Sequence, residues 1–207
     1  MRKWKFFVVL FIIASSIAGY ILWRTVVSPQ FSLKQLKKTV SEQNTIAFEK
    51  YVDLDHLVGS IITQTWQYYA SEKETEVRWD NIRNEISQSI LSLVAPNLKE
   101  MIKKEVLRYV GTGQWNEKRE EDKESIYSFI IQIIREKINP GNWEYQVINY
   151  LKIDDSNAFV GLTYYDKSKF TNFLVEVKMR NMKGYWQLIE ITNIAELIPL
   201  VQAQEVW

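Results

Sequence analysis

The sequence predicts an α+β fold: an N-terminal transmembrane helix, then several amphipathic helices packed on a C-terminal four-stranded antiparallel meander sheet. Three observations predict it. The stretch from Phe6 to Trp23 carries no charge. Between residues 32 and 138, apolar side chains recur at i, i+3, i+4 and i+7, the period of a helix with one buried stripe. From Trp143 to Thr192 the period becomes two, and short polar breaks separate the runs, as in strands joined by tight turns.

The first element is the apolar run. Ser15, Ser16 and the hydroxyl of Tyr20 are its polar interruptions. Its 18 residues span roughly 27 Å as a helix, against a hydrocarbon core of about 30 Å. Trp4, Tyr20 and Trp23 bracket it where interfacial aromatics belong. Arg2, Lys3 and Lys5 crowd the N-terminal flank, and Arg24 alone lies close on the other. Positive flanks stay cytoplasmic, so residues 1–27 are expected to be a single-pass cell-membrane anchor with the N-terminus inside, and residues 28–207 an extracytoplasmic domain. The alternative is a cleaved signal peptide, with Phe6–Ile13 as its core and Ser16-Ile17-Ala18 as a small-x-small site. The run continues through Ile21-Leu22-Trp23, past that cut, which favours the uncleaved signal-anchor. Lipid attachment as a lipoprotein would need a cysteine, and the chain has none.

The helices follow in order. Pro29 is expected to break the anchor, and Ser32 to cap a helix to about Gln43, with Gln35 completing a capping box. Leu33, Leu36 and Val40 mark its apolar face; Lys34, Lys37 and Lys38 mark a polar one that either meets lipid headgroups or is solvated. Thr45–Tyr51 is a helical turn with Phe48 inward. Leu54, Leu57, Val58, Ile61, Ile62 and Thr65 stripe a helix from about Asp53 to Ala70, and Ser71–Glu76 is a loop. Asp80 or Asn81 caps the next helix, whose stripe runs from Ile82 to Val94 and resumes from Leu98 to Val110 beyond Pro96. That spacing is either one kinked helix or two helices meeting at Ala95-Pro96. Gly111-Thr112-Gly113 stops it, Asn116–Lys123 is a charge cluster, and Ile126–Ile138 is another helix ended by Asn139-Pro140-Gly141.

The strands come next. Trp143, Tyr145, Val147, Asn149 and Leu151 alternate with Glu144, Gln146, Ile148 and Tyr150. Ala158, Val160, Leu162 and Tyr164 form the apolar side of the second run, and Phe173, Val175, Val177 and Met179 that of the third. Turns fall at Asp154–Asn157, Asp166–Lys169 and Asn181–Gly184, and Tyr185–Thr192 is the last strand. In that strand alternation leaves the inward side open, because Trp186 and Leu188 share a side with Glu190, while Ile189 and Ile191 lie opposite. Size decides for Trp186, which removes far more apolar area from water than Gln187. Ile194, Leu197, Ile198 and Val201 mark a terminal helix over 194–201.

Several of these segments together resemble a known group. They are Ser28-Pro29-x-Phe31-Ser32-Leu33-x-Gln35-Leu36-Lys37, Phe48-x-Lys50-Tyr51-Val52-Asp53, the helix at Leu57–Thr65, Leu93-Val94-Ala95-Pro96-Asn97-Leu98, and Gly184-Tyr185-Trp186-Gln187-Leu188-x-Glu190-Ile191. With the membrane helix they resemble the bacterial domain of unknown function 2939 family, over most of residues 28–195. The closing meander also resembles the cone-shaped α+β folds of the nuclear-transport-factor-two-like kind. The resemblance implies fold and location, and no activity or catalytic residue.

Composition narrows the function. Removing residues 1–27 leaves 22 basic against 25 acidic side chains, a balance that does not suit nucleic acid. Without cysteine there is no disulfide, thiol chemistry or cysteine metal site, so the domain stands on its apolar core. His56, the only histidine, follows Asp53 and Asp55 at a helix start. It is either a general base oriented by a carboxylate or one member of a capping cluster. Asp154-Asp155 sits where a hairpin turn expects Asp. No nucleophile elbow, phosphate loop or dinucleotide turn is present, and no cofactor is called for. The aromatics Trp66, Tyr69, Tyr145, Tyr164 and Trp186, with His56, are candidates for a pocket between sheet and helices, and equally for core filling. The expected function is a non-catalytic binding or scaffold module at the cell envelope, in contact with the bilayer and an envelope protein or a small ligand. The alternative is a pocketed small-ligand receptor or enzyme.

Overall fold

The computed structural model describes residues 13, 15–16, 27–71, 88–115 and 143–202, with side chains omitted for 69–71, 88–95 and 200–202. The expected interfacial Trp4, Tyr20 and Trp23, the Asp80/Asn81 cap, the 126–138 helix and its Asn139-Pro140-Gly141 stop lie outside the described residues. Among the described residues, no helix is long and apolar enough to cross a membrane. The described elements are α1 (Pro29–Ser41), α2 (Thr45–Tyr51), α3 (Leu54–Ser71), α4 (Gln88–Thr112), β1 (Trp143–Asp154), β2 (Asn157–Asp166), β3 (Thr171–Asn181), β4 (Trp186–Ile191) and α5 (Ile194–Gln202). The architecture is α+β, with one antiparallel sheet in the order β1-β2-β3-β4.

The start of α1 corrects the expectation of a cap at Ser32. Ser28 is the N-cap, its hydroxyl accepting from the Phe31 N–H, and Pro29 is the first helical residue. Proline fits there because the N–H it lacks would have no helical partner, and its fixed φ already suits a helix. Ser32 points inward instead, 0% exposed, and its Oγ accepts the Trp186 backbone N–H at 2.8 Å. Asn44 caps α2 through the Ala47 N–H, and Phe48 is buried as expected. The chain then runs beside β4: Val52 forms a parallel bridge with Leu188, and the Asp53 N–H donates to the Leu188 carbonyl at 2.9 Å.

On α3 the predicted stripe is buried at Leu54, Val58 and Ile62. Of the two readings at Pro96, the structure has the single helix: α4 runs through it and buries Leu98, Ile102 and Val110. It ends where Gly113 takes φ +71°, a left-handed position that glycine occupies without strain.

The meander turns lie where the polar breaks predicted. Asp155 and Ser156 join β1 to β2, with Asp155 at φ 50°. Two of the strands, however, do not alternate strictly. In β4, Met179 pairs with Leu188 and Lys178 with Glu190, so Ile189 is an extra residue, a β-bulge. The bulge turns Ile191 to the side of Trp186 and Leu188, and all three pack with the inner-face cluster. That removes the conflict left open by simple alternation, and Trp186, 4% exposed, is inward.

Strand β1 overturns its expected faces in the same way. Its pairing with β2 slips at Gln146 and again at Asn149. Tyr145 therefore opposes Tyr164, Ile148 opposes Leu162 and Leu151 opposes Val160, while Val147 is exposed. Ile148, which strict alternation puts on the side opposite Leu151, packs against the core with it, while Val147 and Asn149 are exposed. Bulges on an edge strand also disturb the row of unpaired backbone groups that would recruit another strand.

The main core joins Ala158, Val160, Leu162, Val177, Met179 and Trp186 to Leu33 of α1. A second cluster joins Phe48, Val52, Leu54 and Val110. Leu188 packs against both, so β4 ties the sheet to the helices. Helix α3 is held to the strand end by Gln64, which donates to the Ile191 carbonyl at 2.8 Å.

Candidate functional site

The expected pocket residues do not converge on one place. His56 stands in the first turn of α3 with its side chain 63% exposed. Trp66 lies further along α3, half-buried. The side chain of Tyr69 lies outside the described residues. Trp186 is in the core at one end of the sheet. Tyr145 and Tyr164 are brought together at the other end.

That far end carries an aromatic group on the inner face. Pairing sets Tyr145, Tyr164 and Phe173 in one rung across three strands. The rings of Tyr145 and Tyr164 meet edge-on with centroids 5.9 Å apart, and those of Tyr164 and Phe173 stack at 5.8 Å. Trp143 meets Phe173 edge-on at 4.8 Å. Lys37 of α1 brings its ammonium to 5.9 Å from the Tyr145 ring, within cation–π range. Burial pushes the Tyr164 hydroxyl above its ordinary pKa, with the neighbouring Tyr145 adding to it, so it is neutral and a hydrogen-bond donor at neutral pH. Tyr145 keeps 42% of its surface exposed. The rung is a surface with polar tips, suited to recognising an apolar or aromatic group. Trp143 and Phe173 were not picked out beforehand as site residues, and Lys37 was expected only at lipid headgroups or in solvent. The signal was the pairing register, which is hidden in a sequence until the β1 slips are known.

The second cluster is polar and surrounds His56. Asp53 accepts the His56 backbone N–H at 3.1 Å, capping α3, and its other oxygen lies 2.8 Å from His56 Nδ1. The same oxygen accepts from the Arg180 guanidinium at 2.8 Å. Partial burial pushes the Asp53 carboxyl up, but the His56 backbone bond, the His56 ring and Arg180 outweigh it and hold its pKa below the ordinary value. Asp55, two residues on, pairs with Lys99 at 2.9 Å and Lys103 at 3.1 Å, tying α3 to α4. Those hydrogen bonds, Lys99 first and Lys103 next, hold the Asp55 carboxyl low. Both aspartates therefore serve as a cap or a bridge between elements. Among the described residues, Asp53 is the only bonded partner of the His56 side chain.

On the outer face, Tyr150 lies across Gly161 and donates to Glu176 at 2.7 Å. A methyl group at Gly161 would collide with the Tyr150 ring, so a side chain there would displace Tyr150. Burial and the Glu176 carboxylate push the Tyr150 hydroxyl up to about 12. Among the described residues, no three acidic or histidine side chains gather to hold a metal ion. No protein-family model matches the chain, and no curated protein or solved structure matches it.

Proposed function

We propose that the chain is a single-pass membrane protein with an extracytoplasmic α+β domain, and that this domain is a non-catalytic binding or scaffold module at the cell envelope. The observation that carries the reading is the aromatic rung of Tyr145, Tyr164 and Phe173, half-open, at the end of the sheet opposite Trp186. Trp186 donates its indole N–H to the carbonyl of Val27 at 2.8 Å, which ties that end of the domain to a residue four positions past the apolar run. Phe173 lies eight positions along β3 from Asn181, the partner of Trp186, or roughly 26 Å away. In this reading the rung points away from the bilayer, towards an envelope protein or a small ligand. The helices-then-meander order and the Gly184-Tyr185-Trp186 turn support a cone-shaped, nuclear-transport-factor-two-like fold, and with it the kinship to the domain of unknown function 2939 family.

A photo-crosslinking residue at Tyr145, in the full chain in its native membrane, tests the module reading. A discrete adduct that disappears when Trp143 is changed to Ala supports it. Equal labelling with and without Trp143 removes the rung as a binding surface.

The second reading is an enzyme with His56 as general base, and the 2.8 Å approach of Asp53 to Nδ1 favours it. Against it, the same Asp53 oxygen is shared with Arg180 and the other oxygen caps α3, so the pair is accounted for by the helix start.

A further inference from the structure

The end of the domain tied to Val27 has its own surface chemistry. The turn between β3 and β4 exposes four consecutive residues, Asn181 to Gly184. Met182 is apolar and 39% exposed at its tip. The turn is held rigid: the Lys183 N–H donates to the Asn181 side chain at 2.8 Å, and the Met182 N–H to the Tyr185 carbonyl at 2.9 Å. Beside it, Tyr185 meets Tyr51 edge-on at 5.8 Å. Lys50 lays its ammonium over both rings, 5.4 Å from Tyr51 and 4.9 Å from Tyr185.

We propose that Met182, Lys183 and the Lys50–Tyr51–Tyr185 group form a contact with anionic phospholipid headgroups, seating the domain on the membrane beside its own anchor. This rests on the reading of residues 1–27 as an anchor. Position is the first argument. Trp23 ends the apolar run, and four further residues reach Val27, at most roughly 14 Å of chain. Trp186, bonded to the Val27 carbonyl, directly follows Tyr185. The headgroup layer is itself about 5–7 Å deep on each side, so the turn lies within reach of it.

Chemistry is the second argument. Tyrosine rings with polar tips sit well at headgroup depth, and a lysine held beside those rings with its ammonium exposed can pair with phosphate. Lys50 and Lys183 are both exposed cations. The adjoining turn between β1 and β2, which touches this one through the Asn181 N–H and the Ser156 carbonyl, carries Asp154 and Asp155. An anionic surface repels that corner, so the contact falls to the β3–β4 side. Two lysines of α1 are differently engaged: Lys37 faces Tyr145 and Lys38 pairs with Glu42 at 3.6 Å.

The absence of cysteine makes the test direct, because each introduced thiol is unique. The full chain is placed in nanodiscs of phosphatidylcholine alone or mixed with phosphatidylglycerol. A fluorophore is attached at Ile13→Cys, Met182→Cys or Phe170→Cys in turn. Phe170 is 82% exposed in the turn at the opposite end of β3 and serves as the distant reference. Lipids carrying quenchers at the acyl chain or the headgroup report depth. The expected result is acyl-chain quenching at position 13, and headgroup quenching at position 182 several-fold above that at 170 in anionic discs. It should fall to the level at 170 in Lys50→Glu/Lys183→Glu. Equal quenching at 182 and 170, or quenching at 182 indifferent to lipid charge, overturns the contact while position 13 still reports an anchor. An unquenched label at position 13 overturns the anchor reading and the contact with it.

Discussion

At the scale of single residues, Asp53 shows how a carboxylate that resembles half of a catalytic pair can be structural. It caps α3, bonds His56 and meets Arg180. Its folded pKa lies below the ordinary carboxylate value, so the native state holds this proton less tightly than the unfolded chain. The resulting stabilisation is complete above the ordinary carboxylate value and is lost as the pH falls through the lowered one. Asp53→Asn keeps a capping oxygen and removes the charge. Its stability deficit in urea melts should be present at neutral pH and vanish in acid; a deficit unchanged by pH would exclude the linkage. Asp53→Ala removes the cap as well, costing about 1 kcal/mol more. His56→Ala should change any binding or activity of the protein by no more than a few-fold, and a loss of about a hundredfold with the fold intact would instead establish a general base. Trp186 is the residue whose size alone announced its place. Trp186→Ala should cost about 3–5 kcal/mol, seen as a lower denaturant midpoint at unchanged slope.

At the scale of elements, what was legible was what repeats. The α3 stripe and the two-residue rhythm of β2 and β3 follow from side-chain direction, and full burial falls on part of each: Leu54, Val58 and Ile62, then Ala158, Val160 and Leu162, then Val177 and Met179. What was not legible came from single exceptions to a period. Pro29 breaks helices in their interior and starts them at N1, and only the capping Ser28 before it distinguishes the two. The slips at Gln146 and Asn149 changed which aromatics meet, which is why the Tyr145–Tyr164–Phe173 rung went partly unseen. In β4, strict alternation puts Glu190 on the side of Trp186, and one bulged residue corrects it. Deleting Ile189 leaves Trp186-Gln187-Leu188-Glu190-Ile191, a regular strand with the same three residues inward and the same pairings to β3. The deletion should therefore preserve the fold and cost less stability than Trp186→Ala. If it unfolds the domain, the bulge has a role beyond register, such as setting the Leu188 carbonyl where Asp53 reaches it.

At the scale of the whole molecule, the change of period from 3.6 to two marked the α+β order, and the charge asymmetry around residues 6–23 set the expected topology. The Trp186 indole, donating to the Val27 carbonyl, links the two. A domain bonded at Val27 leaves little slack between its core and the last residues of the apolar run. Protease added to intact protoplasts should therefore degrade residues 28–207, while the mass of the mature chain retains residues 1–27. Cuts should fall in exposed segments, and the link at Val27-Ser28, half-buried and bonded to Trp186, should resist until Trp186 leaves the core. Trp186→Phe keeps an aromatic ring in the core and removes the indole donor, so it should speed cleavage at the link well before it changes the denaturant midpoint. A protected domain would place it in the cytoplasm and reverse the charge argument. A mature mass beginning near Gly19 would make the run a cleaved signal peptide. Equal cleavage of the link in the native chain and Trp186→Phe would show that the bond to Val27 does not hold the domain to its anchor.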